Sequence, residues 1–189
     1  GDLLNRAIQA VPEIRFALSQ RGLADFFAGF LARGEMGMRV THNDTKLDNV
    51  LFDAGTGRAL CVIDLDTVMP GLPLYDFGDL ARSAACMAAE DELRLDRVRV
   101  DPERFGALAK GFLEGTGREV NPVERENMVG ATQVFAYSLG LRFLTDFLEG
   151  DRYFRIHREG HNLDRARAQF ALLRDLQDRE AELRRAAGA

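Results

Sequence analysis

Lysine is the scarcest charged residue in this sequence. Only Lys46 and Lys110 occur among 25 basic residues, and the rest are arginines. The bias itself is read as base composition, but it limits which ammonium group can do chemistry. Lys46 falls in a loop and Lys110 in a helical stretch, so none remains for a strand. Cysteine is nearly absent. Cys61 and Cys86 make no disulfide framework, and Cys61, inside an apolar run, reads as a small core residue. No apolar run approaches the roughly 18 residues of a membrane span. No charged start followed by an apolar stretch marks a signal peptide. A cytoplasmic location without membrane contact is the expectation. The net charge of −5 argues against nucleic acid as the main partner. No Gly-x-Gly-x-x-Gly occurs: Gly55-Thr56-Gly57 reads as a hairpin turn and Gly115-Thr116-Gly117 follows a helix, so neither is placed to cover phosphates. There is no repeat and no low-complexity linker. The chain is therefore read as a single domain, 1–189, with apolar and charged fractions of 46% and 29% that suit a globular core.

What is present centres on Thr41 to Asp66. Two short apolar runs, Val50-Leu51-Phe52 and Leu60-Cys61-Val62-Ile63, flank a turn with Gly55 and Gly57, which predicts a β-hairpin. Asp44 and Asn49 precede the first run; Asp64 and Asp66 follow the second. Closing the hairpin brings these oxygen-bearing side chains together beside Lys46. Magnesium-dependent phosphoryl transfer needs such a set: oxygen ligands for a hard cation, a carboxylate to aim a hydroxyl, and a positive charge for the phosphate. His42, Asp44 and Asn49 also match the spacing of the His-Arg-Asp-x4-Asn catalytic loop of protein kinases.

On these residues the chain resembles the aminoglycoside/choline phosphotransferase (kinase-like) family. Within it, His42-Asn43-Asp44-Thr45-Lys46, Ile63 to Gly71, Tyr75 to Asp79 and Glu159 to Leu163 are similar to the N-acetylhexosamine 1-kinases. The resemblance covers roughly Met38 to Leu173 and implies the C-terminal lobe of a protein-kinase-like fold. It implies ATP and Mg2+ as cofactors, and a small hydroxyl compound as substrate, foremost the anomeric hydroxyl of an N-acetylated sugar. An aminoglycoside or choline-type acceptor is the alternative, and a non-catalytic kinase-like binding module the other. Asp44 is the expected catalytic carboxylate. Asn49 and Asp64 are expected to bind the metal and nucleotide. Asp66 is a further metal candidate, with substrate contact or solvation left open. Lys46 either reaches the transferring phosphate or stays solvated. Asp76-Phe77-Gly78 spells the kinase magnesium motif but comes too late, at a helix start. There Asp76 is expected to cap free amides, and the resemblance implies that it braces the catalytic loop. His42 is read as a packing and hydrogen-bonding residue. His157 and His161 are read as surface or polar-contact residues without metal-ligand spacing.

Taken in order, Leu4 to Leu18 and Leu23 to Leu31 read as amphipathic helices with core-facing stripes, Pro12 restarting the first. Thr67 to Pro73 reads as a loop. Asp101-Pro102 opens a helix, Pro122 opens a long buried one that ends at Gly150-Asp151, and a last amphipathic helix fades after Asp178. The fold class is mainly α with a short β-hairpin (α+β). The forty residues before Thr41 read as helices, so the strand-rich ATP-binding N-terminal lobe is expected to lie outside this chain. The chain alone is expected to be inactive and to self-associate through an exposed interlobe surface.

Overall fold

The computed structural model describes residues 5–188. The chain is mainly helical with two small two-stranded sheets. Its early helices are α1 (Val11–Ser19) and α2 (Phe26–Ala32). Pro12 sits in the first turn of α1, after a 3-10 turn over Ala7–Ala10, so it restarts the helix as expected. Leu4 lies outside the described residues. The stripe is only partly core: Ala10, Ala17 and Phe27 are buried, whereas Ile8 and Leu18 face solvent.

Strand β1 (Arg39–Thr41) leads into the Asp44 loop. Then come β2 (Val50–Phe52), β3 (Ala59–Val62) and β4 (Met69–Gly71). β2 and β3 form the anticipated hairpin, whose turn is tied by Asp53 accepting from the Gly55 and Thr56 amides. β4 corrects the loop expectation: it pairs antiparallel with β1, placing Pro70 opposite Val40. A proline is tolerated there because each strand of a two-stranded ribbon keeps a free edge. Cys61 is also corrected. It is exposed, as is the whole of β3, because among the described residues nothing packs over the hairpin.

Helices α3 (Pro73–Ala84), α4 (Pro102–Thr116), α5 (Pro122–Glu126), α6 (Met128–Glu149), α7 (His161–Asp178) and α8 (Glu180–Ala186) build the body. α6 packs along α7 and α3, and the core gathers Phe77, Phe105, Phe143 and Phe170, all essentially fully buried. Each such ring contributes about 1.5–3 kcal/mol by leaving water. α3 meets α6 at Gly78, where a Cβ would stand 2.7 Å from Phe135 and 2.9 Å from the Ala131 carbonyl. Asp101 caps α4 as expected, accepting from the Glu103 and Arg104 amides. The segment before it, left without a form by its sequence, holds a 3-10 turn over Leu95–Arg97 and a bridge between Cys86 and Val100.

The helix expected from Pro122 to Glu149 breaks at Asn127. Asn121 and Glu124 form a reciprocal capping box that closes the short α5 on itself. Glu124, fully buried, also takes Arg39 Nη1 of β1 at 2.8 Å, fastening the strand that feeds the Asp44 loop to the helical body. The tail after Asp178 does not fade. It forms α8, which buries Leu183 against α4.

Candidate active site

The loop after β1 is held by its backbone. Asp76, in the first turn of α3, accepts the amides of His42 at 2.9 Å and Asn43 at 2.7 Å. It therefore braces the loop, as the resemblance implied. It does not cap its own helix, because α3 begins at Pro73, three residues before it. Thr67 Oγ1 donates to the His42 carbonyl at 2.7 Å, and Asn43 Nδ2 donates to the Thr67 carbonyl at 3.1 Å. Asn43 takes a left-handed backbone, φ 64°, which asparagine tolerates better than most residues. Gly71 of β4 leaves the space this needs: a Cβ there would stand 2.2 Å from Thr41 Oγ1 and 2.7 Å from Asn43 Oδ1.

His42 orients the hairpin instead of facing a substrate. Its Nε2 lies 2.9 Å from the Ile63 carbonyl, a contact that needs a proton on Nε2, and its Nδ1 accepts from the Asp44 amide at 3.3 Å. The Ile63 amide donates to the Asn49 carbonyl at 2.9 Å. The end of the hairpin is thus laced to the loop at two places.

Asp44 is the focus of this lacing. Its Oδ2 accepts from Lys46 Nζ at 2.8 Å and from Asn49 Nδ2 at 2.9 Å. Burial pushes its carboxyl up, but the hydrogen bonds from Lys46 and Asn49 and the lysine charge outweigh this and hold it below the usual range. Asp44 is an anion at neutral pH. The bond to Asp44 in turn raises Lys46, so Lys46 is neither neutral nor freely solvated.

Asp64 and Asp66 follow β3. Asp64 has φ 64° and opens the 3-10 turn Leu65–Thr67 that contains Asp66. A hydrogen bond that protonated Asp64 donates to Asp66, and the negative charge of Asp66, push Asp64 above its ordinary value. Such a pair fits a hard divalent cation, which would relieve the repulsion. Asn49 is buried and spends Nδ2 on Asp44, which leaves Oδ1 as the atom a cation would take. Among the described residues no three His, Cys, Asp or Glu side chains converge as a metal site. Mg2+ suits such a sparse set, because it usually keeps water and nucleotide phosphates among its ligands.

Beside Asp44 opens a cleft of about 670 Å³. Its aromatic walls are Phe135, Phe143, Tyr153 and Phe154. On the long helix, expected from the sequence to be buried, Phe135, Leu139 and the buried Phe143 border this cleft. Tyr153 and Phe154 come from the loop before α7. The buried Asp146 carboxylate fixes that loop by accepting the amides of Arg152, Tyr153 and Phe154 and Asn162 Nδ2. The cationic walls, Arg82, Arg142, Arg155 and Arg165, were not singled out in the sequence. Among so many arginines, no spacing marks the ones that meet in space. Arg142 lies over Tyr153 and Phe154, and Arg165 over Phe143. His161 is a buried polar-contact residue, with Nε2 2.9 Å from Asp91 and Nδ1 accepting from the His157 amide.

No helix among the described residues is long and apolar enough to cross a membrane. The sequence model of the phosphotransferase enzyme family, APH, matches residues 4–108, more than half of the chain, from ahead of α1 into α4. That span contains every element of the Asp44 loop and both ribbons that brace it. With its kinase-like fold, the chain is a member of the phosphotransferase enzyme family.

Proposed function

We propose that this site transfers the γ-phosphoryl group of ATP, with Mg2+, to a hydroxyl of a small neutral molecule, foremost the anomeric hydroxyl of an N-acetylhexosamine. The observation that carries this is Asp44: an ionised carboxylate, pinned by Lys46 and Asn49, on the wall of an aromatic-lined cleft. Asp44 aims the acceptor hydroxyl and takes its proton as the O–P bond forms. Lys46 stands beside it to meet phosphate charge. Asn49, Asp64 and Asp66 would hold Mg2+, which when bound neutralises the nucleotide phosphates.

The charge of the cleft argues against a polycationic aminoglycoside. Its walls carry Lys46 and four arginines against Asp44, Asp48, Asp79 and Glu90, so they offer no excess of anions. Flat aromatic faces with polar neighbours suit a sugar ring instead. None of β1 to β4 carries a lysine for the α/β phosphates. The reading therefore includes a strand-rich lobe, supplied outside these 189 residues, that completes the nucleotide site.

The test is a coupled ADP assay on the full-length gene product with N-acetylglucosamine, N-acetylgalactosamine, choline and an aminoglycoside. Turnover confined to the N-acetylated sugars is expected. Turnover on choline or the antibiotic alone overturns the acceptor assignment.

A further inference from the structure

Asp79 stands on α3, three residues after Asp76, and borders the acceptor cleft together with Asp44 and Lys46. It is only 9% exposed. Its ion-pair partner is Arg82, also buried, one turn further along the helix. An arginine often meets a carboxylate as fork on fork, with one N–H to each oxygen. Here both N–H groups go to one atom: Oδ1 accepts from Arg82 Nε at 3.0 Å and from Nη2 at 2.7 Å. Oδ2 has no hydrogen-bond partner among the described residues, and it is not one of the polar atoms sealed from solvent. A ligand in the cleft can therefore reach it. Asp79 also lies within electrostatic reach of the reacting end. The bond to Asp44 raises Lys46 most, and the charges of Asp64 and Asp79 add to that effect.

Arg82 already compensates the charge of Asp79, so what remains unmet is hydrogen bonding. A carboxylate held in an ion pair only accepts, so the missing partner is a donor. A cationic donor would stand against Arg82 and would meet Lys46, Arg142, Arg155 and Arg165 on the same walls. A hydroxyl donates without adding charge. The reacting hydroxyl belongs to Asp44, which leaves Asp79 for another one.

We propose that Asp79 is an acceptor-binding residue of this site: its Oδ2 accepts a hydrogen bond from a second hydroxyl of the acceptor, while Asp44 takes the reacting one. This rests on the phosphotransferase reading of the cleft and adds that the acceptor is a polyol held at two hydroxyls by two carboxylates.

The experiment is acceptor kinetics on the full-length gene product at saturating ATP and Mg2+. The probes are N-acetylglucosamine and its 3-deoxy, 4-deoxy and 6-deoxy analogues, with wild type and Asp79→Asn. Asparagine keeps the shape and can keep an oxygen on Arg82, but it then turns a donor to the place of Oδ2. In wild type, one analogue is expected to lose about tenfold or more in kcat/KM, as for a lost hydrogen bond to a charged group. In Asp79→Asn, N-acetylglucosamine should lose a similar factor, chiefly through KM. That one analogue should then match the parent sugar within about twofold, because the contact is gone from both sides. The KM for ATP should stay in place. A loss in Asp79→Asn that is equal for the parent and all three analogues would make Asp79 a support for Arg82 alone and overturns the proposal. The wild-type series decides even if Asp79→Asn does not fold: three analogues as good as the parent overturn the role of Asp79 and leave the phosphotransferase reading standing. Turnover on choline alone overturns the acceptor reading and this role together, since choline carries no second hydroxyl.

Discussion

Asp76 Oδ1 accepts the backbone amide of Asn43 at 2.7 Å, so a helix carboxylate fixes the turn that aims Asp44. With the His42 amide on Oδ2, it makes two charge-assisted bonds across the β1–α3 junction. Asp76→Ala leaves both amides unpaired and should cost about 2–4 kcal/mol of stability. Exposed Asp64, changed to Asn, which also holds its left-handed backbone, should alter stability by less than about 0.5 kcal/mol. It should abolish Mg2+-dependent thermal stabilisation by nucleotide in the full-length protein. Urea denaturation and thermal shift of both variants check this. The opposite pattern would place the metal at Asp76.

Asp44→Asn keeps the hydrogen bonds' geometry and loses the base. In the full-length protein the phosphorylation rate should fall at least about a hundredfold, in the range of general-base losses. Magnesium–nucleotide binding should persist. A rate within a few-fold of wild type would show that Asp44 does not do the chemistry.

The Asp44–Lys46 pair has a defined pH window. Asp44 is depressed, so its contribution to stability is complete above the ordinary aspartate range and is lost as pH falls through its folded value. Lys46 is raised, so its contribution is complete below the ordinary lysine value and is lost as pH rises through its folded one. Lys46→Met should therefore lower stability by about 0.5 kcal/mol across neutral pH, a small figure because the pair is partly exposed. Denaturation at a series of pH values should show the difference closing at both extremes.

Asp64 and Asp66 should make cation binding compete with a proton. Asp64 is raised by Asp66, so Mg2+ affinity should rise with pH through a window above the ordinary aspartate range. Asp66→Asn removes the cause and should move that window down. Mg2+-dependent thermal shift of the nucleotide complex, measured against pH, reads it directly. An unmoved window in Asp66→Asn would mean that the pair does not set the affinity.

The hairpin predicts association. Phe52, Leu60 and Val62 are exposed on β2 and β3, with Leu60 64% accessible. We expect the 189-residue chain to self-associate through these side chains, and Leu60→Lys to shift it toward monomer in sedimentation velocity. Calorimetry of the same chain with Mg2+ and ATP should show no micromolar binding. Micromolar affinity with turnover would mean that no second lobe is needed.

The hairpin and the Asp44 loop were legible because their signals are local: alternation around a glycine turn, and a fixed spacing from His42 to Asn49. Pro70 and Gly71 read as a loop because the β1 pairing that makes them a strand lies thirty residues away. Cys61 sits in an apolar run that looks buried, yet the described chain places nothing over it. The break at Asn127 was missed because the Asn121–Glu124 box, visible in sequence, was not weighed against the apolar run behind it. The cleft arginines come from α3, α6, α7 and the loop before α7, so their meeting is a property of packing that no spacing records.

The left-handed backbone at Asn43 and Asp64 also governs how this site can change over evolutionary time. At both positions Asn, Asp and Gly are the residues that hold φ near 64° without strain. Glutamate at 64 would keep the charge and still strain the turn, whereas glycine or asparagine would keep the turn and lose the charge. If Asp64 holds the metal as proposed, the easiest substitutions there are therefore those that silence the chemistry while preserving the architecture. A lineage descended from this chain would drift more readily into a folded, ligand-binding relative without turnover than into an enzyme with a rebuilt metal centre.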